Sequence, residues 1–290
     1  MSPHWLAAQV ALDRAGYSPG EIDGRAGANT TRALEGFQQA HSLSANGQLD
    51  EHTIAALGDA FQAPTTSYVV TDADMAGPFV PSLPKDMMQL ATIDALGYTS
   101  PMELLGERFH AKPALISSLN PNVELKTGVT LQVPNVEPFE VPTERKAPVP
   151  QLNSASSVVR VDEATKTVRV EAPDGSVAFQ APVTIGSTHD PLPKGEWRIV
   201  GTAMLPVFQY NPELFWDADA THAKAKIAPG PNNPVGVVWI DLDKAHMGFH
   251  GTPEPGTIGR SQSHGCLRLT NWDAMRLASL VGRGAKVVLQ

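Results

Sequence analysis

Five prolines, Pro134, Pro138, Pro142, Pro148 and Pro150, fall within seventeen positions. Each removes a backbone N–H and fixes φ near −65°, so neither a helix nor a central strand runs through such a stretch. Residues 137–152 therefore read as an extended, semi-stiff tether. At 290 residues, 42% of them hydrophobic, the chain is long enough for two or three units with cores of their own. The expected division is a helical unit over 1–62, a linker over 63–96 with one helix and, at Tyr68-Val69-Val70, room for one strand, a small module over 97–136, the tether, and a larger unit over 153–290.

The larger unit carries the only cysteine, in Ser263-His264-Gly265-Cys266-Leu267-Arg268. A lone thiol makes no internal disulfide, and free cysteine is usually a small buried hydrophobe. Here the neighbours are Ser, His, Gly and Arg, a polar and cationic setting that favours a reactive thiol. A thiolate nucleophile needs a base within reach and a third group to hold that base. Two histidines qualify. His264 is two residues before Cys266, on the same side of an extended segment. His250 ends a strand-like run, Met247 to Gly251, and the Gly/Pro-rich stretch 251–259 returns the chain toward the cysteine.

The surroundings read as mostly β. Val158–Val161 and Thr167–Val170 alternate apolar and polar residues, Asp174-Gly175 turns into Val177–Phe179, and Val237–Leu242 precedes the His250 run. A helix from Trp272 to Val281, capped by Thr270 or Asn271, follows the cysteine. The aromatic run from Phe208 through Tyr210 to Phe215 and Trp216 sits in a segment longer than a hairpin needs, the position of a lid or substrate wall, with a local aromatic cluster as the plainer alternative. A metal site from His246, His250, His264 and Cys266 is disfavoured: His246 and His250 have zincin spacing, but Met247 stands where Glu is required.

His250-Gly251 followed at this spacing by Ser263 to Leu269, with Ile185-Gly186-Ser187, Pro193 to Trp197 and Pro229 to Gly236 upstream, resembles the L,D-transpeptidase catalytic domain, or YkuD domain. The resemblance implies a mostly-β fold and acyl transfer through a cysteine thioester, with release of a terminal D-residue from a peptidoglycan stem peptide. It makes Cys266 the nucleophile, His250 the base, and the Gly251 carbonyl the group that orients His250. Backbone N–H groups around His264, Gly265 and Cys266 would form the oxyanion hole, and the His264 ring is expected to be structural, hydrogen-bonded within the loop, and not the base. Arg268, Ser263 and Tyr210 are expected near substrate, Arg268 through a carboxylate, with loop-anchoring roles as the alternative for Arg268 and Ser263. An amine acceptor gives transpeptidation and water gives an L,D-carboxypeptidase. A carbapenem is the expected covalent inhibitor, and no metal or other cofactor is called for.

Residues 1–62 resemble a three-helix peptidoglycan-binding domain through Gly16-Tyr17, Ile22-Asp23-Gly24, Thr30 to Leu34, Phe37-Gln38 and Asn46 to Asp50. Asp23, Arg32 and Gln38 are its polar candidates for a ligand face, and Asn29 or Thr30 is the expected cap of its second helix. Residues 97–136 resemble a LysM module, a small α+β unit, in two short helices and a strand ending Val133-Pro134, with the usual first strand replaced by Gly97 to Ser100. The whole is thus expected to be multidomain and to have peptidoglycan, stem peptides and glycan strands, as its partner. A non-catalytic wall-binding scaffold is the alternative from another class.

Thirty acidic residues against twenty-two basic ones leave a net charge of −8, which excludes a basic nucleic-acid footprint. No apolar run has the length of a membrane span. The start, Met1-Ser2-Pro3-His4-Trp5, lacks a basic region and an apolar core, so a removed signal peptide and a periplasmic or other extracytoplasmic location are expected.

Overall fold

The computed structural model describes residues 2–290. The N-terminal unit comprises α1 (Pro3–Arg14), α2 (Ala28–Ala40), α3 (Glu51–Leu57) and the short α4 (Asp59–Gln62). Ala8, Ala11, Leu12, Leu34 and Phe37 meet in its core because they recur at helical spacing on facing stripes. Asp50 caps α3 by accepting from the Thr53 N–H. Neither Asn29 nor Thr30 caps α2: Gly27 holds that position, and Asn29 sits inside the first turn. Gln38 is fully buried, with its amide shared among Asn46, the Gln48 carbonyl, Thr53 and the Gly47 N–H, so it belongs to the interior and not to a ligand face. Asp23 accepts from Gln9 and the Arg25 N–H.

The segment expected as a linker holds β1 (Thr65–Val69), α5 (Asp72–Ala76) and α6 (Met87–Leu90). After α7 (Pro101–Arg108) and α8 (Pro113–Leu119) comes β2 (Thr130–Pro134), which pairs antiparallel with β1, Tyr68 opposite Leu131. The module's first strand is therefore Thr65–Val69, not Gly97 to Ser100. Two strands over sixty residues apart in sequence close it, with Tyr68, Leu105, Phe109, Ile116, Leu131 and Val133 as its core.

The C-terminal unit is an eight-stranded sheet. Its strands are β3 (Val158–Asp162), β4 (Thr167–Glu171), β5 (Val177–Pro182), β6 (Gly195–Met204), β9 (Val238–Leu242), β10 (Gly248–His250), β11 (Leu267–Arg268) and β12 (Lys286–Leu289). A separate ribbon, β7 (Phe208–Tyr210) with β8 (Ala225–Ile227), stands over it. Strand order is β11-β10-β9-β6-β12-β3-β4-β5. The chain beyond β5 returns to the far edge, where Thr184 and Arg268 exchange backbone hydrogen bonds of 2.9 and 3.0 Å, so the sheet curls nearly onto itself. Helix α9 (Asn271–Leu280), capped by Thr270, fills the curl with Ala274, Leu277 and Ala278.

The preceding modules pack on this sheet and do not swing from a tether. Tyr17 bridges to Gln180 on edge strand β5, and Ser18 Oγ donates to Asp273 of α9 at 2.9 Å. His110 stacks on Trp272, ring centroids 5.2 Å apart, and pairs with Asp13 at 3.0 Å. Within the Pro-rich stretch, Phe139 is buried against Val237 and Trp272, and Gln151 and Leu152 bond the end of α9. Prolines kept the stretch extended, but its apolar residues found partners.

Candidate active site

β10 lies between β9 and β11, with Phe249 opposite Leu267 and His250 opposite Arg268 in parallel register. Paired residues of parallel strands share a face, and so do residues two apart. His250, Arg268 and Cys266 therefore project to one side, into a cleft of about 1520 Å³ that also takes in Trp239, His246, His264 and Gly265.

His250 is buried, and Trp239 across the strand pair stacks on its ring at 5.5 Å and 14°. Its Nδ1 donates to the Gly251 carbonyl at 2.6 Å, which leaves Nε2 as the acceptor. Burial first, then the Arg268 cation, push its pKa down to about 3, against the opposing bond to Gly251. The imidazole is neutral at physiological pH.

Cys266 is half-buried and donates from Sγ to the His246 carbonyl at 3.7 Å. Burial raises the thiol pKa, the Gly248 N–H and Arg268 work in the other direction, and Asp190 adds to the rise. Gly265, at φ +99°, makes the turn into the cysteine in a region that a side chain would strain. Ser263 donates to the Cys266 carbonyl at 2.6 Å and its N–H bonds the Ile185 carbonyl, so this buried residue fastens the loop and does not line the cleft.

Arg268 lines the cleft with no carboxylate within ion-pair distance among the described residues, and its Nε is buried without a partner. A guanidinium left open beside the thiol is suited to a bidentate anion. His264 does not bond within its own loop. Its Nε2 meets Asp217 at 2.7 Å, and Phe215 and Trp216 pack beside its ring, so it joins the cysteine loop to the segment after β7. Tyr210 is buried, its hydroxyl on His222 at 2.8 Å, and His222 reaches Asp86 at 2.9 Å. The aromatic segment is thus a cleft wall seated on Leu90 and Leu96 of the middle module. Among the described residues no three His, Cys, Asp or Glu side chains assemble as a metal site.

Trp239, Asp217 and Asp86 were not among the expected site residues. Trp239 was in reach, since strand alternation from Val237 to Leu242 puts it beside a paired His250. The other two are placed by long-range packing.

Residues 156–289 match the family model of the L,D-transpeptidase catalytic domain, YkuD, and residues 2–57 that of a putative peptidoglycan binding domain. The C-terminal unit thus carries a match to the L,D-transpeptidase catalytic domain of the YkuD type, over just under half of the chain. A putative L,D-transpeptidase YkuD of Bacillus licheniformis is 46% identical over 59 residues, 20% of this chain and 36% of that protein. Its Bacillus subtilis counterpart is 26% identical over 184 residues, 62% of this chain and 88% of that protein. Among solved structures, L,D-transpeptidase 3 from Mycobacterium tuberculosis has 15% identity and a TM-score of 0.39 over 58% of this chain and 76% of its own. The match to the first of these relatives spans little more than a third of its length.

Proposed function

We propose that the protein cross-links peptidoglycan tetrapeptide stems outside the cytoplasm through a Cys266 thioester. The observation that carries this reading is the common face of Cys266, His250 and Arg268, with His250 held neutral and Nε2 free. As Sγ attacks the carbonyl between the L-centre and the terminal D-residue, Nε2 takes the thiol proton. The N–H groups around Gly265 and Cys266 serve the tetrahedral oxygen, and His250 returns the proton to the departing amine, so the D-residue leaves and the thioester remains. A neighbouring stem's amine then attacks the thioester, loses its proton to His250, and displaces the thiol. Arg268 takes the carboxylate of the departing D-residue. The same thiol would be the point of attachment for a carbapenem, and the N-terminal unit would bind the wall polymer.

Mass spectrometry of disaccharide-tetrapeptide after incubation with the protein tests this, with Cys266→Ala as control. Dimers lacking one terminal D-residue, absent from the control, are expected. Disaccharide-tripeptide alone would replace the amine acceptor with water, and no change in either sample would sink the reading.

A further inference from the structure

The 251–266 connection runs from the His250 carbonyl anchor to the nucleophile, and groups from both preceding modules hold it. Asn29 of α2 donates through Nδ2 to the Ile258 carbonyl at 2.9 Å, and Arg32 donates to Asn29 Oδ1 at 2.7 Å. The next residue, Gly259, has φ +73°, and a Cβ there would stand 2.6 Å from Asn29 Oδ1. Its N–H bonds Thr184 Oγ1 at 2.8 Å, behind Arg268. This is what the buried Asn29 does in place of capping its helix.

The middle module reaches the other end of the connection. Glu107, on the buried face of α7, accepts from Asn271 Nδ2 at 2.6 Å and from the Tyr98 hydroxyl at 2.7 Å. Asn271 accepts the Val237 N–H at 3.2 Å, and a Cβ on either Gly236 or Gly251 would collide with its Oδ1. The Asn271 amide is thereby wedged against Gly251, whose carbonyl carries His250. Burial raises the pKa of Glu107 to about 8, which makes it a neutral strut and spares the interior a charge.

We propose that the two N-terminal modules are positioning parts of the catalytic site, Asn29 holding the loop between His250 and Cys266 and Glu107 holding Gly251 through Asn271. This rests on the reading of Cys266 and His250 as the reacting pair. Modules that only anchored the enzyme to a polymer would leave chemistry on a small soluble substrate unchanged, since anchoring acts through effective concentration alone. Bracing acts on the geometry of attack, where a displacement of about 1 Å costs about 100-fold.

The test uses the full chain as wild type, Asn29→Ala, Glu107→Leu and Glu107→Gln. The readouts are kcat and KM on soluble disaccharide-tetrapeptide, the rate and pH profile of Cys266 alkylation by iodoacetamide, and circular dichroism for folding. Asn29→Ala and Glu107→Leu are expected to lower kcat about 10- to 100-fold with KM within about twofold, and to slow alkylation or shift its pH profile. Glu107→Gln, which still accepts from Asn271, is expected to restore most of both. Folded variants with wild-type kcat and alkylation overturn the proposal. If Glu107→Leu does not fold, Asn29→Ala and the contrast with Glu107→Gln decide. If the wild type releases no D-residue, the functional reading falls, and the alkylation rates still decide the brace.

Discussion

Replacing Glu107 by Gln removes a buried titration and should change the pH dependence of stability in a calculable way. The folded carboxyl has its pKa raised from the ordinary 4.5 to about 8, by burial first and then, in the same direction, by Glu103, while the bonds from Tyr98 and Asn271 pull it down. A raised folded pKa means that the native state keeps a proton which the unfolded chain releases. Its stabilising contribution is therefore fully present below pH 4.5 and is lost as pH climbs to 8. Integrated from pH 5 to pH 7.5, the loss is about 3 kcal/mol. Gln does not titrate, so its altered hydrogen bonding offsets the two proteins by a constant, and other titrating groups cancel in the difference. Urea denaturation followed by tryptophan fluorescence, run on both proteins at pH 5 and pH 7.5, should show the variant gaining about 3 kcal/mol on the wild type between the two. A difference that stays constant with pH would mean that Glu107 is ionised in the folded protein, and the neutral strut would have to be abandoned.

His250 predicts the opposite sign: with its pKa depressed to about 3, its contribution is present above 6.5 and lost as pH falls, so wild type should lose about 3 kcal/mol against His250→Gln between pH 7.5 and pH 4.5, measured by the same denaturation. Alkylation of Cys266 should rise about tenfold per pH unit from 6 to 8, because its thiol pKa is raised; a plateau below pH 7 would reveal a resting thiolate. On soluble tetrapeptide substrate, His250→Ala should lower kcat by about 100-fold or more, as read by release of the terminal D-residue. Gly265→Ala places a side chain at φ +99° and should lower the unfolding free energy by about 1–2 kcal/mol, as read by urea denaturation.

The residues proposed to react stand out in the sequence because their signal is local. Gly251 before the return loop, Gly265 before Cys266 and alternation in the flanking strands are each set by a few neighbouring residues. What stayed hidden was set by partners far away in sequence. Tyr68-Val69-Val70 hints at a strand amid Pro, Thr and Asp, but only pairing with Thr130–Pro134 fixes it as Thr65–Val69 and makes it part of the middle module. Asn29 has the composition of a helix cap, and its amide is spent instead on a carbonyl more than two hundred residues later. Glu107, in Gly-Glu-Arg near the end of a helix, carries no local sign of its burial, which comes from laying α7 against Asn271. Sequence periodicity marks which face of an element is apolar, whereas a single polar residue buried at a junction breaks that pattern without announcing its partner.

The electrostatics of the site explain why bracing would matter here. With the thiol raised and the imidazole depressed, the resting pair is neutral, so no ion-pair attraction draws Cys266 and His250 together. In this structure the thiol hydrogen-bonds the His246 carbonyl instead. Proton transfer to Nε2 must then accompany attack, when substrate fills the cleft and negative charge grows on the tetrahedral oxygen. A base held by attraction tolerates small errors in the backbone, because the pair pulls itself into register. A base held by a backbone carbonyl and a stacked Trp239 ring does not, and its geometry depends on what fixes those two groups. Asn271 packs closely on Gly251, and its amide is held by Glu107 and the Pro231 carbonyl. The middle module thus contributes to the base's alignment without touching substrate, and severing it should cost turnover while leaving substrate affinity nearly unchanged.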